Sequence, residues 1–345
     1  VRLISTSLSV RGYYAERKKT KMRVISLFSG IGGSSEGYIS AGASVLASVE
    51  FLDYQAKVYR ANHPETRVYE EDIRKLDPLE IISDLGLKVG ELDVLDGSPP
   101  CSSFSVSGKG SKGWGKAKSY GNRTQVTDDL FFEYIRFVDA IRPKFFVAEN
   151  VKGLLLGKNK AYLSYILKSF PKEYTIKIFL LNSKDFGVPQ SRNRVFIIGG
   201  RKDIVGDGFE LSLKRRPPVL AGNAISDLEP TKAELEEADI RKYSIYPKLK
   251  ALRAGESEFN LVKANPYRPS PTITATIGGK GSNALHHWDN RRFTVRELKR
   301  LQGLRDDFDF SSVDPNRARE GIGRAVTPPV TEAIANSIKE ILEND

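Results

Sequence analysis

The 345-residue chain has one cysteine, one methionine and three histidines. A single thiol excludes any internal disulfide, and so few soft ligands leave nothing to build a zinc site, so no metal is expected. Apolar runs of about 18 residues or more are absent, which excludes a helical membrane span. The opening stretch "VRLISTSLSVRGYY" lacks the apolar block, roughly 7–15 residues long, of a secretory signal. A cytoplasmic protein is therefore the default expectation. Acids are in the minority, 43 Asp and Glu against 54 Lys and Arg, for a net charge of +11. That balance favours an anionic partner.

The excess is clustered. Residues 1–23 hold seven Lys/Arg and one Glu. Residues 101–127 hold Lys109, Lys112, Lys116, Lys118 and Arg123 with no acid, in a stretch rich in Gly and Ser. Such a loop suits a phosphate backbone. Residues 291–305 hold six Arg/Lys and Glu297.

"RVISLF", "SGIGG" and "SSEGYISAGA" read as strand, glycine turn and helix. "SVLASVEF" is a second strand ending in Glu50, which lies 20 residues after Gly30. A glycine turn at a helix start, followed at that distance by a strand-end acid, fits a nucleotide-like cofactor whose ribose the acid holds. The Gly-x-Gly-Gly spacing is not the dinucleotide pattern, which argues against NAD. Strands and helices keep alternating through "ELDVLDGSPPC", "LFFEYIRFVDAIRP", "KFFVAENV", "YTIKIFLLN" and "SRNRVFIIGGR". The pattern is that of a doubly wound α/β sheet, whose ligands bind at the carboxyl ends of the strands. Gly30, Glu50, Asp72, Cys101 and Glu149 should therefore converge. A lone cysteine is more often a small core residue. The Pro-Pro turn before Cys101 and the basic loop after it place it in a site instead.

These stretches together resemble the DNA (cytosine-5)-methyltransferases over roughly residues 22–340. "FSGIGG", "PPCSSFS", "AENV", "QSRNR", "RRFTVRELKRLQGL" and "GRAVTPPV" stand in family order. Two residues depart from the pattern: Ser102 where Gln is common, and Arg324 where Asn is usual. The resemblance implies a Rossmann-like fold of the S-adenosylmethionine-dependent type with a smaller target-recognition domain. It implies S-adenosyl-L-methionine as cofactor, with S-adenosyl-L-homocysteine as product. Phe28, Gly30, Ile31 and Gly33 would line its methionine side, and Glu50 would take the ribose hydroxyls. Phe51 and Ile73 would sandwich the adenine, and Asp72 would accept from its amino group. Pro99, Leu130 and Val326 would complete the pocket.

The same resemblance assigns the chemistry. Cys101 would be the nucleophile at cytosine C6, making C5 carbanion-like. Glu149 would serve ring N3, Arg194 would bind the substrate, and Arg192 would support it. The target base would be flipped out of double-stranded DNA. Ser103, Lys109, Lys112, Arg123 and Gln190 are the expected DNA contacts, while Trp114 reads as a packing anchor. The expected division is a basic extension at 1–21, a catalytic and cofactor-binding domain at 22–200, target recognition at 201–275, a hinge with the penultimate motif at 276–317, and a returning segment at 318–345. A monomer acting as the modification enzyme of a restriction–modification system, beside a cognate endonuclease at the nucleoid, completes the expectation. Two RNA-directed alternatives fail: one needs a second catalytic cysteine, the other a Cys-Phe-Thr motif in the small domain. Amino-methylating enzymes carry an aromatic residue where Cys101 stands.

Overall fold

The computed structural model describes residues 21–100, 118–120, 123–125, 129–157, 159–241, 246–258, 261–275 and 284–344. Cys101, Ser103, Lys109, Lys112 and Trp114 lie outside the described residues.

The first part alternates strand and helix. β1 (Arg23–Leu27), α1 (Gly33–Ser40), β2 (Ser44–Val49), α2 (Asp53–Asn62) and β3 (Arg67–Tyr69) come first. A short 3-10 turn (Ile73–Lys75), α3 (Pro78–Asp84) and β4 (Val94–Gly97) follow. β5 (Lys118–Tyr120) and β6 (Arg123–Gln125) form a small antiparallel pair, and the expected DNA contact Arg123 is on β6. Then come α4 (Leu130–Ile141), β7 (Phe145–Val151), α5 (Asn159–Ser169), β8 (Tyr174–Asn182) and β9 (Asn193–Arg201). Seven of these strands make one sheet in the order β3-β2-β1-β4-β7-β9-β8. The first five run parallel, and β9 runs antiparallel to both β7 and β8. The reversal has a simple cause. A parallel return takes a dozen or so residues of crossover, usually a helix. Residues 183–192 join β8 to β9 with only the 3-10 turn Ser183–Asp185 between them.

Local chemistry sets these elements. β1 and β4 are buried along almost their whole length, as parallel strands covered on both faces must be. α4 buries Leu130, Phe131, Tyr134, Ile135, Phe137, Val138 and Ile141, a stripe at helical spacing. Each such side chain contributes roughly 1.5–3 kcal/mol. Arg142 ends α4 in a left-handed conformation just before Pro143, which cannot continue a helix. α3 starts where the Asp77 side chain accepts from Leu79 N and Pro78 takes the first turn.

The second part holds α6 (Lys202–Val205), α7 (Ala221–Ile225), α8 (Lys232–Ala238), α9 (Tyr246–Ala251), β10 (Ser257–Glu258), β11 (Leu261–Lys263) and β12 (Ala284–Leu285). α10 (Val295–Gln302), α11 (Pro315–Arg324) and α12 (Pro328–Asn344) close the chain. α12 lies on the sheet face beside α1, burying Val330, Ile334, Ala335 and Ile338 against Tyr38 and Val24. A separate core joins Ala221, Ile225, Ala264, Ile273, Phe293, Leu301 and Ile322 with Ile31 and Val58. Packing does not follow the expected boundaries closely. Phe209 still belongs to the core of the large sheet, past residue 200. β11 pairs with β12 across the 275/276 division.

Candidate active site

A cavity of 490 Å³ opens at the carboxyl ends of β1, β2, β4 and β7. Phe28 and Gly30 from the β1–α1 turn, Glu50 and Phe51 from the end of β2, and Ile73 line one side. Pro99, Pro100, Glu149, Asn150 and Arg194 line the other, and Leu130, Arg324 and Val326 complete the wall.

The glycine turn is built for close approach. Phe28 takes φ 52°, rare for a residue with a side chain, and Gly30 takes φ 58°. Strain of this kind gathers at functional sites. Glu50 spans the turn: its carboxylate accepts from Gly30 N at 2.8 Å and from Leu52 N at 2.7 Å. Burial pushes the Glu50 carboxyl above its usual range, while those two N–H groups and the nearby Arg324 charge pull it back. Arg324, the departure from the family pattern, thus adds a positive charge beside Glu50, and it pairs with Glu320 on α11.

At the opposite wall the sheet register brings the polar pair together. Val151 lies opposite Arg194 and Glu149 opposite Phe196, so Glu149 and Arg194 are diagonal neighbours on one face. Arg194 Nε meets Glu149 Oε1 at 3.0 Å, and both side chains are mostly buried. Burial lowers the Arg194 pKa, opposed by Glu149. Asn150 points the other way and donates to Pro99 O at 3.1 Å, tying the Pro-Pro turn to β7. Cys101 is the next residue after that turn.

Several expected site residues do other work. Ile31 is buried in the second core, against Gly321, and not in the cavity wall. Gly33 packs on the last motif: a methyl there would lie 2.3 Å from Val326 O. Asp72 turns its carboxylate to Arg74, accepting from Arg74 N at 3.1 Å, and the neighbouring Glu71 lines the cavity instead. Gln190 cannot reach DNA as it stands, being 0% exposed. It donates to Leu301 O and Gln302 Oε1 and accepts from Ile273 N, because its amide is buried and must be satisfied there. Arg192, expected as support, is buried and donates to Ile273 O at 2.8 Å and Gly323 O at 3.0 Å. Burial, then the neighbouring Arg194 charge, press on its guanidinium. It touches the cavity wall but acts on protein, so it positions rather than reacts.

The basic run 291–305 is not a free cationic face. Arg291 pairs with Glu297 and Asp289, Arg292 with Glu237, Arg296 with Glu234, Arg300 with Asp227 and Asp306, and Arg305 with Glu36 and Asp307. Lys299 donates to the Asp306 and Phe308 carbonyls. Sequence reasoning also missed Ser26, Ser34 and Asp96, which line the cavity floor. Among the described residues no group of His, Cys, Asp and Glu could hold a metal ion, and no helix is long and apolar enough to cross a membrane.

The family model for C-5 cytosine-specific DNA methylases matches residues 22–340. The chain belongs to this family. It is a DNA (cytosine-5)-methyltransferase. The match takes in every strand of the large sheet and the whole cavity wall. Among relatives, the Type II methyltransferase M.NgoPII of Neisseria gonorrhoeae is 31% identical over 93% of this chain and 96% of its own length. The Type II methyltransferase M.SsoII of Shigella sonnei is 31% identical over 96% of this chain and 83% of its own. Among solved structures, a prophage-encoded E. coli protein described as a DNA modification methyltransferase superposes with a TM-score of 0.75. It is 22% identical and covers 94% of this chain and all of its own. The S. pombe Dnmt2 methyltransferase reaches a TM-score of 0.65 at 17% identity, over 94% of this chain and 99% of its own. These last two likenesses concern the fold.

Proposed function

We propose that this methyltransferase acts on C5 of cytosine within a specific short sequence of double-stranded DNA. Its reading as the modification enzyme of a restriction–modification system, beside a cognate endonuclease, rests on its Type II relatives. One observation carries the chemistry. The Glu149–Arg194 pair faces the cavity next to the Pro99–Pro100 turn that leads into Cys101, across from Glu50.

The cavity fits S-adenosyl-L-methionine. Glu50 offers a charged acceptor for the ribose hydroxyls, Phe51 and Ile73 offer flat apolar walls for a purine, and the glycine turn leaves space for the chain between. When bound, the cofactor supplies an electrophilic methyl group on a sulfonium. The protein's own steps are at the base. The Cys101 thiolate adds to C6 of a flipped-out cytosine, and its electron pair raises the nucleophilicity of C5. Glu149 serves N3, where negative charge would otherwise build up, and Arg194 holds both that carboxyl and the base. After methyl transfer a water molecule takes the C5 proton, the C5–H electron pair re-forms the C5–C6 double bond, and the C6–S bond breaks to expel the Cys101 thiolate. Ser103, Lys109, Lys112 and Arg123 supply backbone contacts around the base, and residues 201–275 house sequence choice.

Bisulfite sequencing of a plasmid from cells expressing the chain tests the reading. It should show full conversion of one short site to 5-methylcytosine, none with Cys101→Ser, and a changed site when residues 201–275 are exchanged with a relative's. A hydroxyl is a far weaker nucleophile than a thiolate at neutral pH. Methylation by the serine variant at more than a trace would overturn the covalent step.

A further inference from the structure

Asp96 is the penultimate residue of β4 and lies on the floor of the cavity, 3% exposed. Three hydroxyls surround it. Ser26 on β1 donates to Oδ2 at 3.0 Å and Tyr38 on α1 to Oδ1 at 3.3 Å. Ser34 on α1 also hydrogen-bonds it. Ser26 and Asp96 are register partners on adjacent strands, so their side chains share a face. Among the described residues no Lys, Arg or His approaches within ion-pair distance. A carboxylate shut away from water without a cation is costly. Hydroxyl donors alone recover part of that cost, and a carboxylate has room for a further donor.

Strand order says what should supply it. From β2 to β7 the sheet runs β2, β1, β4, β7. Strands are spaced about 4.8 Å apart, so Asp96 stands about 10 Å from the Glu50 end and about 5 Å from the strand carrying Glu149. A cofactor with its ribose on Glu50 and its methyl directed at a base beside Glu149 has its methionine half over β4. That half carries the sulfonium, the α-ammonium and an α-carboxylate, for a net charge of about +1 near neutral pH.

We propose that Asp96, held by Ser26, Ser34 and Tyr38, is the counter-ion for the cationic methionine half of S-adenosylmethionine. The assignment rests on the cofactor reading given above. Burial pushes the Asp96 carboxyl up to about 7, with hydroxyl donors pulling it down and Glu149 pushing it further up. Among the described residues, the titratable groups that act on it are Tyr38 on α1, Tyr59 on α2, Tyr134 on α4 and Glu149 on β7. None of them bears a positive charge. A cationic ligand therefore shifts Asp96 towards its ionised form and releases a proton near neutral pH.

Calorimetry on the full chain without DNA tests this with S-adenosylmethionine, S-adenosylhomocysteine and 5′-methylthioadenosine. Loss of one charged hydrogen bond should weaken binding about 10- to 100-fold in Asp96→Asn. A loss for both amino-acid-bearing ligands identifies the ammonium as the partner, and a loss for S-adenosylmethionine alone identifies the sulfonium. Methylthioadenosine, which carries neither, should bind both proteins alike. In the wild type, affinity should fall as pH drops below about 7, with proton release seen there as a buffer-dependent heat that Asp96→Asn abolishes; the ligand's own α-amine, ordinarily titrating at about 7.7–8.0, takes up protons only at higher pH. The proposal is overturned if all three ligands weaken equally, if neither amino-acid-bearing ligand weakens more than about twofold, or if wild-type binding releases no proton. The last measurement needs no variant, so it decides the question even where the Asn protein misfolds. A wild-type chain that binds none of the three refutes the cofactor reading itself, a different failure.

Discussion

Replacing Arg192 with methionine removes one side chain that joins three segments. Its guanidinium donates to Ile273 O at 2.8 Å and Gly323 O at 3.0 Å from a fully buried position just before β9. Methionine keeps much of the apolar stem but leaves both carbonyls without a donor. Each buried carbonyl so orphaned costs about 1–3 kcal/mol, giving a gross loss of about 2–6 kcal/mol. Against this, the variant no longer buries a cation next to Arg194, which the native fold bears at a cost. A net loss of about 2–4 kcal/mol follows. In a chain of this size about 2 °C of melting temperature goes with each kcal/mol, so the midpoint should fall by about 4–8 °C.

The loss should also be felt at the site. Ile273 leads into Thr274 and Ala275, and Gly323 into Arg324, and all of these line the cavity. With the pin gone, both walls loosen, and S-adenosylhomocysteine should bind several-fold more weakly even below the melting range. Arg192→Lys should not restore the native values, because one ammonium lacks the two-pronged geometry that reaches both carbonyls. Differential scanning fluorimetry with and without S-adenosylhomocysteine reads both effects. A methionine variant that melts within about 2 °C of the wild type and shows the same ligand-induced shift would refute the role given to Arg192.

Two further outcomes follow from packing and burial. Gly33→Ala puts a methyl 2.3 Å from Val326 O, so α1 and the last motif must separate; urea denaturation should show a loss of about 1–3 kcal/mol, and an unchanged midpoint would mean the contact yields freely. His63 is buried beside Gly32 and Phe308, and burial followed by the Arg305 charge lowers its pKa from 6.5 to about 4. The unfolded chain takes up that proton first as pH falls, so this contribution is whole above the unfolded value and is lost on acidification from 6.5 towards 4. His286 and His287 are shifted in the same direction. Stability measured across this range should fall less steeply in His63→Asn than in the wild type, and identical slopes would show that His63 titrates normally.

Much of the site was legible because its parts are single residues at strand ends. The 20-residue step from Gly30 to Glu50 becomes a direct hydrogen bond between Gly30 N and the Glu50 carboxylate. Glu149-Asn150 at the end of β7 and the Pro-Pro turn after β4 meet through the Asn150 bond to Pro99, while Cys101 lies outside the described residues. What was not legible depends on where a side chain turns after the backbone is placed. Asp72 and Glu71 are neighbours in sequence, yet Glu71 lines the cavity while Asp72 caps the 3-10 turn. The basic run 291–305 looked like a cationic face because only part of its acids, Asp289, Glu297, Asp306 and Asp307, lie near it in sequence, while Glu36, Asp227, Glu234 and Glu237 reach it from far away. Asp96 was hidden within an apolar strand, and only the packing of β1 and α1 around it sets it apart.

Strand direction explains one more feature of the motif order. After β1 comes the glycine turn, after β2 comes Glu50, after β4 the Pro99–Pro100 turn, and Glu149-Asn150 lies at the end of β7. In each case the chemical group sits at the carboxyl end of a parallel strand. "QSRNR" instead stands at the amino end of its strand, with Arg194 second in β9. A motif placed before a parallel strand would lie at the far edge of the sheet, away from the cavity. β9 runs antiparallel, with Arg194 opposite Val151 and Gly200 opposite Phe145, so its amino end is the one that reaches the cavity. The position of the motif before the strand is therefore itself a sequence signal for the reversed strand. It also explains why the segment 189–192 can carry Gln190 and Arg192 into the second core: the chain arrives at the cavity from outside the sheet, past Ser270 and Ile273, before it enters β9. The second core and the cavity wall are joined at that point of entry, because the residues that brace Ile273 are separated from Arg194 by only a few positions of backbone.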